Sequence, residues 1–289
     1  MDKSKKYATA TAFRRALEDR LKSIAAKERI ELERVRREVS FDRLLARLFA
    51  SLDAPWVLKG GYALELRMKE ARATRDIDLA LRHTLGKLRG DDLNRAILDA
   101  LRKAAALDLE DFFVFQLGDV MHDLDAAPYG GTRFPVTAMM DARTFAKFHI
   151  DIGAGDVVLT PLDSTQGRDW LGFAGIAAPA FPTASREQHF AEKIHAYTVP
   201  RQTPNSRARD LVDLVLLIDS QKLDPAQVGR ALQATFERRK THALPPSLEP
   251  PPPAWKESFA ELTRECGLSE DLGEAFAKVS SYFSALPKA

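Results

Sequence analysis

The chain has 289 residues, of which 45% are apolar and 29% charged, and a formal net charge of +2 at pH 7. That is the composition of a soluble globular protein, long enough for one large domain or two ordinary ones. No apolar run is long enough to form a membrane-spanning helix, and the near-neutral charge gives no bulk signal for nucleic acid.

The basic start Met1-Asp2-Lys3-Ser4-Lys5-Lys6 has no apolar stretch behind it, so no secretory signal is expected. A single cysteine, Cys266, can form neither an internal disulfide nor a cysteine-cluster metal site. Both observations point to the cytoplasm. Charge is unevenly spread: residues 1–40 hold twelve Lys/Arg against seven Asp/Glu, and smaller basic groups occur at Arg201/Arg207/Arg209 and Arg238/Arg239/Lys240. These read either as solvated helix faces or as parts of an RNA-binding surface.

Taken in chain order, residues 9–51 have the spacing of two helices, with Leu17, Leu21 and Ile24 on one and Leu44, Leu45, Leu48 and Phe49 on the next. Strands are expected at 56–59, 76–81, 112–115, 133–140 and 148–153, with a helix at 91–106 between the second and third. Strands alternating with helices predict an α/β layer with a mixed sheet. Residues 160–183, with Pro161, Pro179, Pro182 and several glycines, read as a connecting segment. Helices follow at 186–199, 205–221, 225–240 and 256–285, the first with Ser or Thr available as N-cap. Residues 244–253 are too proline-rich for a helix and predict an extended spacer. The expected domains are therefore an α/β lobe over 1–160, N-terminal helices included, and a mainly helical lobe over 161–289.

Chemistry concentrates first at Trp56-Val57-Leu58-Lys59-Gly60-Gly61-Tyr62-Ala63-Leu64, where an apolar strand enters a Gly-Gly turn and a helix. Glycines permit a sharp turn and close approach of a ligand, and the N–H groups at a helix N-terminus face anions. Lys59, Gly60 and Gly61 are thus candidates for binding a nucleotide's phosphates; a tight turn without ligand, and a Lys that merely snorkels, are the alternatives. Downstream, Thr74-Arg75-Asp76-Ile77-Asp78-Leu79 sets two acids on one face of an apolar strand. A divalent cation would relieve their repulsion and desolvation, which makes Asp76 and Asp78 candidate Mg2+ ligands. A solvent-facing strand with Arg72 or Arg75 as partners is the other reading. Asp151, in Phe148-His149-Ile150-Asp151-Ile152-Gly153, repeats the pattern. It is a candidate third carboxylate and base, or else a strand-end residue capping the turn at Gly153.

Lys59-Gly60-Gly61-x-x-Leu64 followed by Thr74-Arg75-Asp76-Ile77-Asp78-Leu79 resembles the AbiEii family of nucleotidyltransferases, within the polymerase-β-like superfamily. These are toxins of type IV-style toxin–antitoxin and abortive-infection systems and include mycobacterial tRNA-modifying members. Two later family motifs are matched by Ala191-Glu192-Lys193-Ile194-His195-Ala196 and by Arg207-Ala208-Arg209-Asp210-Leu211-Val212-Asp213-Leu214. The four motifs occur in order over residues 59–214; Tyr62 and Ala63 stand where many members have small or hydroxyl residues. The resemblance implies a polymerase-β-like lobe joined to a helical C-terminal lobe. Lys193 and Asp213 would be catalytic, and Lys193 and Asp210 would also contact nucleotide. Asp210 and Asp213, three apart on one helix face, would hold Lys193 and Arg207/Arg209 or bind substrate. His189 and His195 read as packing or surface residues without a metal role.

The activity implied is Mg2+-dependent transfer of a nucleoside monophosphate from an NTP to a hydroxyl, with pyrophosphate leaving. By resemblance the acceptor is RNA, the tRNA 3′ end above all, and a cognate antitoxin, a winged-helix DNA-binding protein, is the expected partner. A membrane is not. Transfer to a protein or small molecule on the same scaffold, and a non-catalytic module whose Asp76 and Asp78 are paired with arginines, are the competing readings.

Overall fold

Residues 7–68, 70–82, 88–123, 131–200 and 207–287 are described by the computed structural model of this chain. They form two compact units that interleave along the sequence: Met1–Leu58, Ala73–Gly155 and Ser164–Thr183 make the first, and Lys59–Arg72, Asp156–Asp163 and Ala184–Ala289 the second.

The first unit is built on a mixed sheet. Its strands are β1 (Trp56–Lys59), β2 (Asp76–Leu81), β3 (Val114–Leu117), β4 (His122–Asp123), β5 (Gly131–Met140), β6 (Arg143–Gly153), β7 (Asp163–Gln166) and β8 (Ala180–Thr183). Their order is β3-β5-β6-β2-β1-β8-β7, with β4 alongside β5. Strands β2 and β6 run parallel, as do β1 and β8, whereas β5 is antiparallel to β3, β4 and β6.

Alternation gives this sheet its two faces. Phe134, Val136, Ala138 and Met140 of β5, Ile77 and Leu79 of β2, and Phe148, Ile150 and Ile152 of β6 are all buried. Against the sheet pack helices α2 (Leu32–Leu48) and α4 (Gly90–Ala105), with α1 (Ala10–Glu28) on α2. Leu17 and Leu21 of α1 and Leu44, Leu45 and Leu48 of α2 are buried at the expected helical spacing. Phe41 of α2 meets Phe148 edge to face at 4.8 Å. Helix α2 also buries charge: Asp111 takes a two-pronged hydrogen bond from Arg47 (2.6 and 2.9 Å) and another from Arg43 (2.6 Å).

The stretch 160–183 is more than a connector. It carries β7 and β8, joined by the Thr165–Thr183 hydroxyl contact at 2.8 Å. Each is four residues long, and Pro182 sits inside β8.

The second unit is helical: α3 (Gly60–Arg67), α5 (Arg186–Thr198), α6 (Ala208–Asp219), α7 (Pro225–Arg239), α8 (Lys256–Cys266) and α9 (Leu272–Ser284). Ser185 caps α5 by accepting from Gln188 N at 3.1 Å, as expected of a Ser/Thr N-cap. Phe190, Ile194, Leu211, Leu214, Val215, Leu232, Phe259 and Val279 share one core. The expected single helix over 256–285 is interrupted where Gly267 adopts a left-handed φ of +66° and ends α8; Asp271 then starts α9 with a capping box to Glu274. The proline-rich segment is not a free spacer either. Leu248 is buried in the core, as is Trp255 just beyond the segment, and the Glu249 carbonyl accepts from the Tyr197 hydroxyl at 2.8 Å. Among the described residues no helix is long and apolar enough to cross a membrane.

Candidate active site

In the first unit, strand register assembles the acids. Parallel pairing of β2 with β6 sets Asp78 opposite Asp151 and Asp76 opposite His149, and antiparallel pairing of β5 with β6 sets Arg133 opposite Asp151. Directly paired residues share a sheet face, so five polar side chains stand together on the face opposite the apolar one. The Arg133 guanidinium forks onto Asp151, Nε to Oδ1 at 2.8 Å and Nη2 to Oδ2 at 2.7 Å, and Nη2 also reaches Asp76 Oδ2 at 3.2 Å. The other oxygen of Asp76 lies 3.1 Å from His149 Nδ1. Hydrogen bonds and charge from Asp151, then Asp76 and Asp78, outweigh desolvation and hold the Arg133 pKa above its ordinary value.

Asp76 therefore does have an arginine partner, but not one of the two expected. Arg72 belongs to the second unit, where it binds Asp213. Arg133 escaped the sequence reading, although it opens an expected strand at the polar phase of the alternation Arg133, Pro135, Thr137. Only the register of β5 against β6 reveals its partner.

The second unit holds two further groups. At the end of β1, Gly60 has a φ of +67°, a left-handed conformation that favours glycine, and α3 begins there without a side-chain cap. Lys59 Nζ contacts Asp156 Oδ2 at 2.6 Å and Glu192 Oε2 at 3.4 Å, and Arg239 completes the cluster through Asp156 at 3.0 Å. Burial alone would lower the Lys59 pKa; Glu192 and Asp156 outweigh it and hold the pKa up. Gln188 donates to Glu192 Oε1 at 3.0 Å and steadies it. Tyr62 is buried, 1% exposed, and acts as a packing residue of α3.

The other group joins α5 to α6. Lys193 Nζ lies 2.8 Å from Asp210 Oδ1 and 2.7 Å from Asp213 Oδ2. Arg72 forks onto Asp213 (Nε 3.1 Å, Nη2 3.0 Å), and Arg207 binds Asp210 at 3.1 Å. Lys193, Arg72 and Arg207 converge on Asp210 and Asp213. Lys193 is thus a buried, partnered lysine rather than an exposed one. Desolvation would lower its pKa, but Asp210 and Asp213 raise it beyond the ordinary value; conversely Lys193 and Arg72 overcome desolvation to depress that of Asp213.

The histidines take up packing positions, as expected. His189 and His195 are 3% and 4% exposed. His195 bonds Thr241 at 2.8 Å and sits edge to face on Phe236. Many N-terminal basic residues are engaged internally: Arg14 donates to the Met140 and Thr144 carbonyls, Arg34 pairs with Glu38, and Arg36 with Glu18 and Glu33. Arg201, of the second basic group, lies outside the described residues.

Could the carboxylates hold Mg2+? Among the described residues no group of three His, Cys, Asp or Glu side chains is gathered closely enough to bind a metal alone. Mg2+ does not require that; one or two carboxylates with waters and substrate phosphates suffice. Asp76 and Asp78 supply hard oxygen donors on one face of β2, and the donor set fits the ion.

The first unit is thus a mixed sheet with in-register carboxylates, and the second is a helical bundle with buried lysines. A family model described as nucleotidyl transferase AbiEii toxin, type IV TA system, matches residues 43–281, and the chain belongs to that family. The fold is also that of MenT4, a nucleotidyltransferase toxin of Mycobacterium tuberculosis H37Rv, at 16% identity and a TM-score of 0.52, covering 89% of this chain and 94% of that one. JHP933 of Helicobacter pylori matches at 18% identity and a TM-score of 0.42, covering 88% and 98%. No curated protein matches the sequence.

Proposed function

We propose that this nucleotidyltransferase toxin moves a nucleoside monophosphate from an NTP to a hydroxyl of RNA, the tRNA 3′ end in particular, with Mg2+ held by Asp76 and Asp78. The observation that carries the reading is the register Asp78–Asp151 with Asp76 on the same face, in a chain of the AbiEii family.

Asp76 and Asp78 would hold the metal, which would supply positive charge against the phosphates. Asp151, once released from Arg133, accepts the proton of the attacking hydroxyl. Lys59, Gly60 and Gly61 bind phosphate. The N-terminus of α3 has no side-chain cap and would offer backbone N–H groups to an anion, and Lys59 has one donor beyond those directed at Asp156 and Glu192. Lys193 likewise keeps one N–H donor beyond those taken by Asp210 and Asp213, and its ammonium favours the anionic triphosphate and the charge developing at the reacting phosphorus. Asp210 and Asp213 hold that ammonium in place. A cognate antitoxin and a cytoplasmic setting complete the reading.

The test is incubation with each NTP carrying an α-phosphate label, Mg2+ and total tRNA. Label in RNA supports the reading. Label confined to a protein band moves the acceptor from RNA to protein, and no label in any fraction refutes transfer.

A further inference from the structure

Arg133 ties two of the three sheet carboxylates together. It occupies both oxygens of Asp151 and one of Asp76, while His149 lies against the other. Those are oxygens a divalent cation and the attacking hydroxyl require. The Arg133 side chain is 31% exposed and that of Asp76 28%, against 13% for Asp151, so the guanidinium is partly solvated while it covers Asp151. A planar fork on a long, partly solvated stem can leave a carboxylate without unfolding the strand that carries it.

We propose that Arg133 is the internal counter-cation of this site: it neutralises Asp151 and Asp76 when no divalent cation is bound, and yields them when one enters. The inference rests on the metal reading given above. Its physical basis is competition. Three carboxylates on adjacent strands repel one another, and a cation is needed in every state. Arg133 supplies one positive charge from within the fold, and a divalent ion supplies two at closer range. Exchange therefore does two things at once. It gives Asp76 to the metal and frees Asp151 to act as a base, so base activation is tied to cation binding.

The consequence is an inversion of the usual effect of removing a charged partner. Deleting the Arg133 charge should tighten cation binding, because the competitor is gone and the site is more negative. Across a partly solvated gap of this kind the gain is about five- to tenfold.

Mn2+ alone, titrated into the nucleotide-free full chain and followed by calorimetry and by the electron paramagnetic resonance of the free ion, tests this. The proposal expects Arg133→Gln to bind Mn2+ about five- to tenfold tighter than wild type, Arg133→Lys, which keeps the charge but loses the fork, to fall between them, and Asp78→Asn to bind far more weakly. It also expects Arg133→Gln to be less stable without Mn2+ and to gain more stability from it, which guards against a merely misfolded variant. Mn2+ affinity in Arg133→Gln equal to or below wild type, with Asp78→Asn still impaired, overturns the proposal and leaves the metal reading standing. Mn2+ that binds no variant, wild type included, overturns both.

Discussion

Lys193 and Asp213 face each other at 2.7 Å, yet their removal should have unequal consequences. Asp213 is 0% exposed and is approached by Lys193 Nζ and by both arms of Arg72. Asp213→Asn leaves two buried cations facing an amide that cannot accept from all three donors. Breaking a buried pair in this way costs about 3–5 kcal/mol. Removing Lys193 is different. Asp213 keeps its fork from Arg72 and Asp210 keeps Arg207 at 3.1 Å, so no carboxylate is stranded. Lys193→Met should cost only about 1–2 kcal/mol, the scale of charge-assisted hydrogen bonds partly repaid by not burying an ammonium. Its effect on transfer should be large, about 100- to 1,000-fold in rate, the scale of losing one preorganised charge at the reacting phosphate. The double variant should recover part of the Asp213→Asn loss, because the unpaired ammonium is gone. Urea unfolding followed by circular dichroism, together with single-turnover transfer, measures all four proteins. If Lys193→Met is destabilised as much as Asp213→Asn, or transfers within a few-fold of wild type, the division between a reacting lysine and its holding carboxylates is wrong.

Two further predictions concern other parts of the chain. Burial, with help from Arg239 and His242, lowers the His195 pKa from 6.5 to about 4, so the folded state binds fewer protons than the unfolded one between those values. Stability should therefore be intact above pH 6.5 and decline as pH falls towards 4, by at most about 3 kcal/mol from this residue, and His195→Gln should flatten that slope in urea unfolding at pH 7.5 and 5.0. Gly60→Ala forces an L-residue into a φ of +67°, which should cost about 1–2 kcal/mol; if the α3 N-terminus binds phosphate it should also raise the KM for NTP, and an unchanged KM would remove Gly60 from the phosphate site.

Much of the architecture is written in local periodicity. Asp76 and Asp78 had to share a face once 76–81 was a strand, and Lys193, Asp210 and Asp213 had to sit off the apolar stripes of their helices. Distant partners left no such trace. Nothing local links Arg133 to Asp151, Arg72 to Asp213, or Lys59 to Asp156 and Glu192; these depend on strand register and helix packing. Nor does anything local join Arg43 and Arg47 to Asp111, 64 residues or more away. Strands β7 and β8 were hidden for another reason. Four residues with Pro182 among them carry too little alternation to outweigh the turn signal of the surrounding prolines and glycines. In the last helices, a single amphipathic pattern ran across Gly267, and only its left-handed φ separates α8 from α9.

The central claim is that Asp76 and Asp78 direct nucleotidyl transfer. It is tested most directly by supplying one NTP labelled at either the α- or the γ-phosphate, with Mg2+ and tRNA, to wild type and to Asp78→Asn. The account predicts α-label in RNA, γ-label only in released pyrophosphate, and neither product from Asp78→Asn. Retention of γ-label on the acceptor, or α-label transfer undiminished in Asp78→Asn, would contradict it.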